Sequence, residues 1–125
     1  MSSNPLALVI EDDEDLATIF AKAVEAAEYE VEVIHAGDKA MQRLDTVIPD
    51  IVVLDLNLPF VSGATILDRI RADEQMAKTR VILATANYGL AQSIEDNADL
   101  VLVKPITFSQ LRDLTSRLRK RIVET

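Results

Sequence analysis

The chain of 125 residues contains no cysteine and no tryptophan, and its aromatic side chains are limited to three phenylalanines and two tyrosines. The absence of cysteine excludes disulfides, thiolate zinc sites and a cysteine nucleophile, and it is compatible with a reducing compartment. No uncharged apolar stretch approaches the ~20 residues that cross a bilayer. The first apolar run, residues 6–10, leads directly into the acidic run 11–15, so the N-terminus lacks the features of a signal peptide. We therefore expect a soluble, cytoplasmic protein.

Positive charge is scarce, because 13 Lys and Arg oppose 21 Asp and Glu, for a formal net charge of -8. The acidic excess lies in the first half, where residues 1–60 carry 13 acidic and 3 basic side chains. A nucleic-acid backbone or an anionic lipid surface would repel such a chain. The composition therefore argues against nucleic acid or a membrane as the direct partner.

Five short runs rich in Val, Ile and Leu recur along the chain, at residues 6–10, 31–34, 51–54, 81–84 and 100–103. Most of them lack the polar alternation of a strand with one wet face. Continuous apolar strands are typical of a parallel sheet that is covered on both faces. The runs therefore predict five parallel strands.

The segments between these runs have the periodicity of helices. Two apolar faces at helical spacing are formed by Leu16, Ile19, Phe20, Ala23 and Ala27, and by Phe108, Leu111, Leu114, Leu118 and Ile122. The fourth helix, expected within residues 90–96, is short and marginal. Alternation of strand and helix predicts an α/β domain, a doubly wound five-stranded parallel sheet with helices on both faces. We expect one domain over residues 1–125, with its core at about 6–121.

Polar residues that follow these strands should converge, because ligands bind at the carboxyl ends of the strands in open parallel sheets. Asp55 follows an apolar run, where a carboxylate is costly without a compensating partner. Crowded carboxylates repel one another unless a hard cation or a lysine is present. The residues expected at this edge are Glu11, Asp12, Asp13, Asp55, Asn57, Thr85, Lys104 and Pro105.

Such a site suits phosphoryl transfer to a carboxylate. Asp55 would be the nucleophile and its product an acyl phosphate. Mg²⁺ and Lys104 would neutralise the phosphoryl oxygens, and the Thr85 hydroxyl would hydrogen-bond one of them.

The sequence resembles the response-regulator receiver domain of two-component phosphorelay signalling, a superfamily of CheY-like domains. The resemblance covers about residues 6–121 and combines four motifs in order. They are Glu11-Asp12-Asp13, Asp55-Leu56-Asn57-Leu58-Pro59 with Gly63 eight residues past the aspartate, Thr85-Ala86, and Lys104-Pro105.

The resemblance implies that Asp55 is the phosphoacceptor and that Mg²⁺, with Mn²⁺ as the alternative ion, is the cofactor. Asp12 or Asp13 would hold the ion together with Asp55 and the backbone carbonyl of Asn57. Of the two acids, Asp13 is expected to be the direct ligand, and Asp12 to bind through water.

The resemblance also implies roles at the end of the sheet for three other positions. Thr85 and Lys104 would bind the phosphoryl group, and Ala86 would keep access to it open. A cis peptide bond is expected between Lys104 and Pro105, against a base rate of about 5 to 6% for X-Pro bonds.

The implied partners are a histidine kinase or histidine phosphotransfer protein upstream, and a protein target or effector domain downstream. The domain would not be an enzyme beyond catalysing its own phosphorylation and dephosphorylation.

One departure from the family concerns the switch: the position three residues before Lys104, which usually carries an aromatic ring, is Val101. A valine has no ring to move between buried and exposed states, so the usual coupling is absent or altered.

Three alternatives remain open at this point. A Mg²⁺-dependent aspartyl phosphatase needs a second acid as general acid-base, and Asn57 stands there instead. A flavin or nucleotide binder needs a first loop that cradles phosphate, and residues 11–15 are five carboxylates. A receiver fold that serves as an interaction module independently of phosphorylation is favoured by Val101.

His35 is expected to be a turn residue rather than a phosphodonor.

Overall fold

The structure, a computed structural model, describes residues 4–124. Within these residues, five strands and five helices alternate, and two short 3₁₀ turns occur between them. The elements are β1 (Leu6–Ile10), α1 (Glu14–Ala26), β2 (Glu30–Ile34), α2 (Gly37–Leu44), β3 (Ile51–Asp55), α3 (Gly63–Ala72), a 3₁₀ turn (Glu74–Met76), β4 (Arg80–Thr85), α4 (Tyr88–Ala91), a 3₁₀ turn (Glu95–Asn97), β5 (Leu100–Val103) and α5 (Phe108–Glu124).

The strands form one parallel sheet in the order β2-β1-β3-β4-β5. This order reverses between β1 and β3, so the carboxyl ends of these two central strands flank the crevice where ligands bind in such sheets. The predicted fold class, a doubly wound five-stranded parallel sheet with helices on both faces, is therefore confirmed.

Alternation along each strand divides the core into two layers. In β1, Ala7 and Val9 belong to the layer under α1 and α5, whereas Leu8 and Ile10 belong to the layer under α2 and α3. All four side chains are fully buried. Because both faces of the sheet are covered, the strands read as continuous apolar runs, which is why they could be located in the sequence.

The buried stripe of α1 differs from the predicted apolar face at one position. Ile19 is 42% exposed, and the stripe runs instead through small and aromatic residues of the neighbouring face. The buried residues of α1 are Ala17, Phe20, Ala21, Ala23 and Val24. Ile19 lies about 100° around the helix from Phe20, which places it at the margin of this buried stripe.

The fourth helix is short, as the sequence predicts, but it lies earlier in the chain than expected. A four-residue helix, Tyr88–Ala91, begins two residues before the expected range 90–96, and the remainder forms a 3₁₀ turn at Glu95–Asn97. Asn87 sets the start, because its side-chain oxygen accepts a hydrogen bond from the Gly89 backbone N–H at 2.9 Å. A single turn has too few internal hydrogen bonds to extend without strong packing.

Gly63 allows α3 to begin directly against the end of β3. A Cβ atom at this position would collide with the backbone oxygen of Asp55 and with the Leu56 backbone. The Gly63 N–H also donates to the Leu56 carbonyl at 3.1 Å. This close approach fixes the segment that carries Asp55.

Among residues 4–124, no helix is both long and apolar enough to span a membrane.

Candidate functional site

An open pocket of about 280 Å³ lies at the carboxyl ends of β1, β3, β4 and β5. We call this edge of the sheet the carboxyl rim. The residues that line the pocket are Glu11, Asp12, Asp13, Leu16, Asp55, Asn57, Thr85, Ala86, Asn87, Leu90 and Lys104. The structure thus brings together residues that lie up to 93 positions apart.

Three of the four acidic side chains that line the pocket form a cluster. One oxygen each from Glu11, Asp12 and Asp55 lie within 4.8 Å of one another. Glu11 and Asp55 are buried, with 1% and 4% exposure, whereas Asp12 is exposed. A set of carboxylate oxygens open to solvent on one side is the donor chemistry that Mg²⁺ prefers, so these residues fit a divalent cation.

Lys104 is the basic group of the pocket. Its Nζ lies 2.7 Å from Glu11 Oε1 and 3.5 Å from Asp55 Oδ1. Burial disfavours the Lys104 ammonium, but the Glu11 hydrogen bond and the Asp55 charge outweigh it and raise the pKa of Lys104 above its usual value. Lys104 therefore carries a permanent positive charge between two acids.

The pKa of the Glu11 carboxyl group is raised by its surroundings. Burial raises the pKa of Glu11 to about 7, and the nearby Asp55 charge adds to this effect, while the Lys104 hydrogen bond opposes it. The Lys104 hydrogen bond therefore offsets only part of the cost of burying the Glu11 carboxylate.

Asp13, the acid expected to bind the ion directly, has a different position. It is the N-cap of α1, and its Oδ1 accepts a hydrogen bond from the Leu16 backbone N–H at 3.0 Å. Asp13 lines the pocket but is not part of the carboxylate cluster. Direct ligation by Asp13 therefore stays a prediction that this geometry does not favour, and Glu11 with Asp12 supply the loop's carboxylates.

Sequence reasoning placed Glu11 at the rim but gave it no role. A signal for its role was present, since β1 ends at Ile10 and the next two side chains are Glu11 and Asp12. Asp13 with Leu16 three residues later also has the spacing of a helix cap.

Asp55 ends β3 and lies against the loop that follows it. The Asn57 backbone N–H donates to Asp55 Oδ1 at 3.2 Å, which orients the carboxylate. Asn57 is exposed and lines the pocket. Its backbone carbonyl as a ligand of the ion stays a prediction.

The Thr85 hydroxyl is buried at the end of β4 and is engaged with the following loop. Its Oγ1 donates to the Asn87 carbonyl at 3.0 Å and accepts from the Asn87 N–H at 3.1 Å. Ala86, between them, is exposed and leaves the pocket open. Asn87, which the sequence did not single out, therefore controls both the Thr85 hydroxyl and the start of α4.

Two further features concern β5 and the residues that follow it. The Lys104–Pro105 peptide bond is cis, as the resemblance implies. Val101 is half-buried against the core layer that contains α2 and α3. Its predicted effect on the switch stays untested.

The fold and the pocket define a class: a doubly wound α/β domain whose carboxyl rim carries three clustered carboxylates, a lysine and a threonine. Residues 7–116 match the family described as the response regulator receiver domain. The chain therefore belongs to the response regulator receiver domain family, the phosphoacceptor domains of two-component signalling.

Curated relatives support this assignment. The chain is 31% identical over 120 residues to the phosphate regulon transcriptional regulatory protein PhoB of Rhizobium meliloti, covering 94% of this chain and 53% of PhoB. It is 33% identical over 118 residues to the transcriptional regulatory protein TrcR of Mycobacterium tuberculosis, covering 93% and 45%. It is 27% identical over 124 residues to the sensor histidine kinase TmoS of Ectopseudomonas mendocina, covering 94% and 12%. The chain thus spans about half, or less, of these relatives.

Solved structures have the same fold. A CheY-like response regulator receiver domain from Methylobacillus flagellatus is 25% identical with a TM-score of 0.81, covering 93% of this chain and 99% of that chain. The chemotaxis response regulator CheY4 of Vibrio cholerae, at 22% identity, has a TM-score of 0.83 and shows the fold alone, covering 93% and 99%.

Proposed function

We propose that residues 1–125 form one receiver domain in which Asp55 accepts a phosphoryl group from a phosphohistidine. The observation that carries the proposal is the position of Asp55. Its buried carboxylate ends a central strand, 3.5 Å from Lys104 Nζ and within the carboxylate cluster. A charged acid held in this way is available for chemistry rather than for packing.

In the proposed reaction, a carboxylate oxygen of Asp55 attacks phosphorus while the bond from phosphorus to the imidazole nitrogen of the donor breaks. The product is an acyl phosphate on Asp55, and the donor ring, protonated on its other nitrogen, leaves as a neutral imidazole. Asn57 N–H orients the attacking carboxylate, and Lys104 neutralises charge on the phosphoryl oxygens. When bound, Mg²⁺ supplies further positive charge at these oxygens.

Glu11, Asp12 and Asp55 would hold Mg²⁺ or Mn²⁺, since their oxygens lie within 4.8 Å of one another. The Asn57 carbonyl is the further proposed ligand. Thr85 would bind a phosphoryl oxygen, for which its hydroxyl must release the Asn87 carbonyl. Because Asn87 caps α4, this exchange offers a route from the phosphoryl group to the protein surface that needs no aromatic ring at Val101.

We infer a cytoplasmic role with two partners: a histidine kinase or phosphotransfer protein that donates the phosphoryl group, and a protein target or effector domain that responds. Regulators and a sensor kinase among the relatives support both. The domain would catalyse at most its own phosphorylation and dephosphorylation.

Labelling by a small phosphodonor such as acetyl phosphate tests the proposal. We expect Mg²⁺-dependent incorporation of one phosphoryl group, which falls to background in Asp55→Asn or when the cation is chelated. Asp68→Asn is the matched control, because Asp68 is exposed on α3 and lies outside the pocket. Undiminished labelling of Asp55→Asn would contradict the assignment of the phosphoacceptor.

A second candidate function is an interaction module that works independently of phosphorylation. The observations that favour it are the aliphatic Val101 and the single turn of α4. Beryllofluoride, which mimics a bound phosphoryl group, separates the two functions. Equal partner affinity with and without beryllofluoride would favour this second function.

A further inference from the structure

The chain's single histidine contacts the acidic loop from the neighbouring strand. His35 directly follows β2, and its Nδ1 lies 3.0 Å from the backbone oxygen of Glu11. A carbonyl oxygen only accepts hydrogen bonds, so Nδ1 must carry the proton and donate in this contact. The imidazole is exposed, which limits its contribution to packing. The hydrogen bond to Glu11 is therefore the contact that needs a functional explanation.

The carbonyl that His35 holds belongs to the peptide group joining Glu11 to Asp12. These two residues supply the loop's carboxylates to the cluster with Asp55. A change in ψ of Glu11 or φ of Asp12, on either side of this peptide group, would move the Asp12 carboxylate relative to Glu11 and Asp55 unless the other angle compensated for it. A hydrogen bond that fixes this peptide plane therefore fixes how the two acids are placed relative to each other.

The backbone N–H of Glu11 is also bound, by the last residue of β2. The Glu11 N–H donates to the Ile34 carbonyl at 3.0 Å, which continues the pairing of β1 with β2 by one residue. The parallel pairing of β1 with β2 ends at Glu11. The next acceptor, the Glu11 carbonyl, is bound by the His35 side chain instead of by a backbone N–H. Consecutive residues of β2 and its extension thus hold both peptide groups of Glu11.

We propose that His35 is a positioning residue for the cation site, acting through the Glu11–Asp12 peptide group. This inference rests on the proposed function, since it concerns the cation that Glu11, Asp12 and Asp55 would hold. Groups that orient metal ligands from outside the coordination sphere commonly affect affinity, because the ligands must otherwise be ordered when the ion binds. His35 lowers that ordering cost in the free protein.

Isothermal titration of the chain with Mg²⁺ tests the inference. In His35→Ala the donor is lost, and we expect the dissociation constant to rise about three- to tenfold. In His35→Asn the side-chain amide can donate from nearly the position of Nδ1, and we expect a dissociation constant within about twofold of the original. Val33→Ala is the matched control, because Val33 lies on β2 and is 38% exposed.

Circular dichroism should show cooperative unfolding for every variant, so that a change in affinity is not a loss of fold. Equal Mg²⁺ affinity of His35→Ala and the original chain would overturn the inference but leave the proposed function intact. Weak binding by His35→Asn, equal to that of His35→Ala, would also overturn it, since the ring and not the donor would then matter. If the original chain binds no Mg²⁺, both the cation site and this inference fall, whereas Asp55 labelling reports separately on the phosphoacceptor.

Discussion

Aspartates lie at both ends of the parallel sheet, and the two ends use them in opposite ways. At the start of the strands, which we call the amino rim, Asp50 Oδ2 accepts from the Leu6 N–H at 2.7 Å and Asp99 Oδ2 accepts from the Val81 N–H at 2.7 Å. Asp99 also pairs with Arg71 and Arg80, each at 3.2 Å. At the carboxyl rim, by contrast, three carboxylates are clustered, and one lysine pairs with two of them, Glu11 and Asp55.

The difference follows from the direction of the strands. Strand starts present backbone N–H groups that lack partners, and a carboxylate satisfies them. Strand ends present mainly carbonyl groups, which cannot donate a hydrogen bond to a carboxylate. An acid placed there repels its acidic neighbours until a cation arrives. The comparison therefore predicts that acids stabilise the amino rim and destabilise the metal-free carboxyl rim.

The largest effect is expected at the amino rim, in Asp99→Asn. The isosteric amide keeps one acceptor but loses the charge that holds Arg71 and Arg80 and strengthens the bond from Val81 N–H. We expect the free energy of unfolding to fall by about 2 kcal/mol. Urea denaturation measures this change, and Mg²⁺-dependent labelling should be unaffected. An increase in the free energy of unfolding of Asp99→Asn would contradict the view that acids stabilise the amino rim.

The next effect concerns the pH dependence of the carboxyl rim. The pKa of Glu11 is raised from its ordinary 4.5 to about 7, and its proton must leave before the carboxylate binds a cation. Mg²⁺ affinity should therefore rise about tenfold from about pH 6 to about pH 8, equivalent to about 1.4 kcal/mol.

The same shift determines the stability of the metal-free protein. A raised acid pKa contributes stability below 4.5 that is lost as the pH rises through about 7. Isothermal titration and thermal unfolding across this range, with Glu11→Gln as control, measure both trends. In Glu11→Gln both trends should flatten, and a slope that survives would assign the proton to another group.

The smallest effect is expected from Asp55→Asn in the metal-free protein. The variant removes a buried charge from beside Glu11 and Asp12 but keeps an acceptor for the Asn57 N–H. The loss of attraction to Lys104 is partial, because Lys104 keeps its closer partner Glu11 at 2.7 Å. We expect the free energy of unfolding to rise by about 1 kcal/mol.

The change in the free energy of unfolding of Asp55→Asn thus has the opposite sign to that of Asp99→Asn. When Mg²⁺ is added, we expect the original chain to become more stable than Asp55→Asn. Denaturation with and without Mg²⁺ measures both effects. A loss of stability in the metal-free variant would show that the carboxyl rim is compensated by Lys104 alone.

Most of the fold could be predicted from the sequence because both faces of the sheet are buried. The runs at 6–10 and 100–103 match β1 and β5, and the other three strands extend the predicted runs by one residue or by one at each end. The apolar face predicted for α1 includes Ile19, which is 42% exposed, because periodicity gives the spacing of a helical face but not its exact rotation against the sheet. The short α4 was also predicted, but its bounds depend on packing that has no local signal.

The candidate site was predictable in kind but not in detail. The sequence placed Asp55, Thr85 and Lys104 at strand ends, which a parallel sheet brings to one edge. The resemblance pointed to Asp12 and Asp13 as the metal-binding acids of the run 11–15, whereas the structure clusters Glu11 and Asp12 with Asp55. The roles of these acids depend on whether each side chain points into the pocket or back to the first turn of α1.

The sequence by itself determined the order of strands and helices and the chemistry that gathers at their ends, because hydrophobic periodicity and strand direction are local properties. Only the tertiary structure decided that Glu11 joins Asp12 and Asp55 while Asp13 caps α1, and that Lys104 reaches back 93 positions to Glu11. The contact of His35 with Glu11 belongs to the same group. These assignments depend on distances between side chains on different strands, which no spacing along the chain encodes.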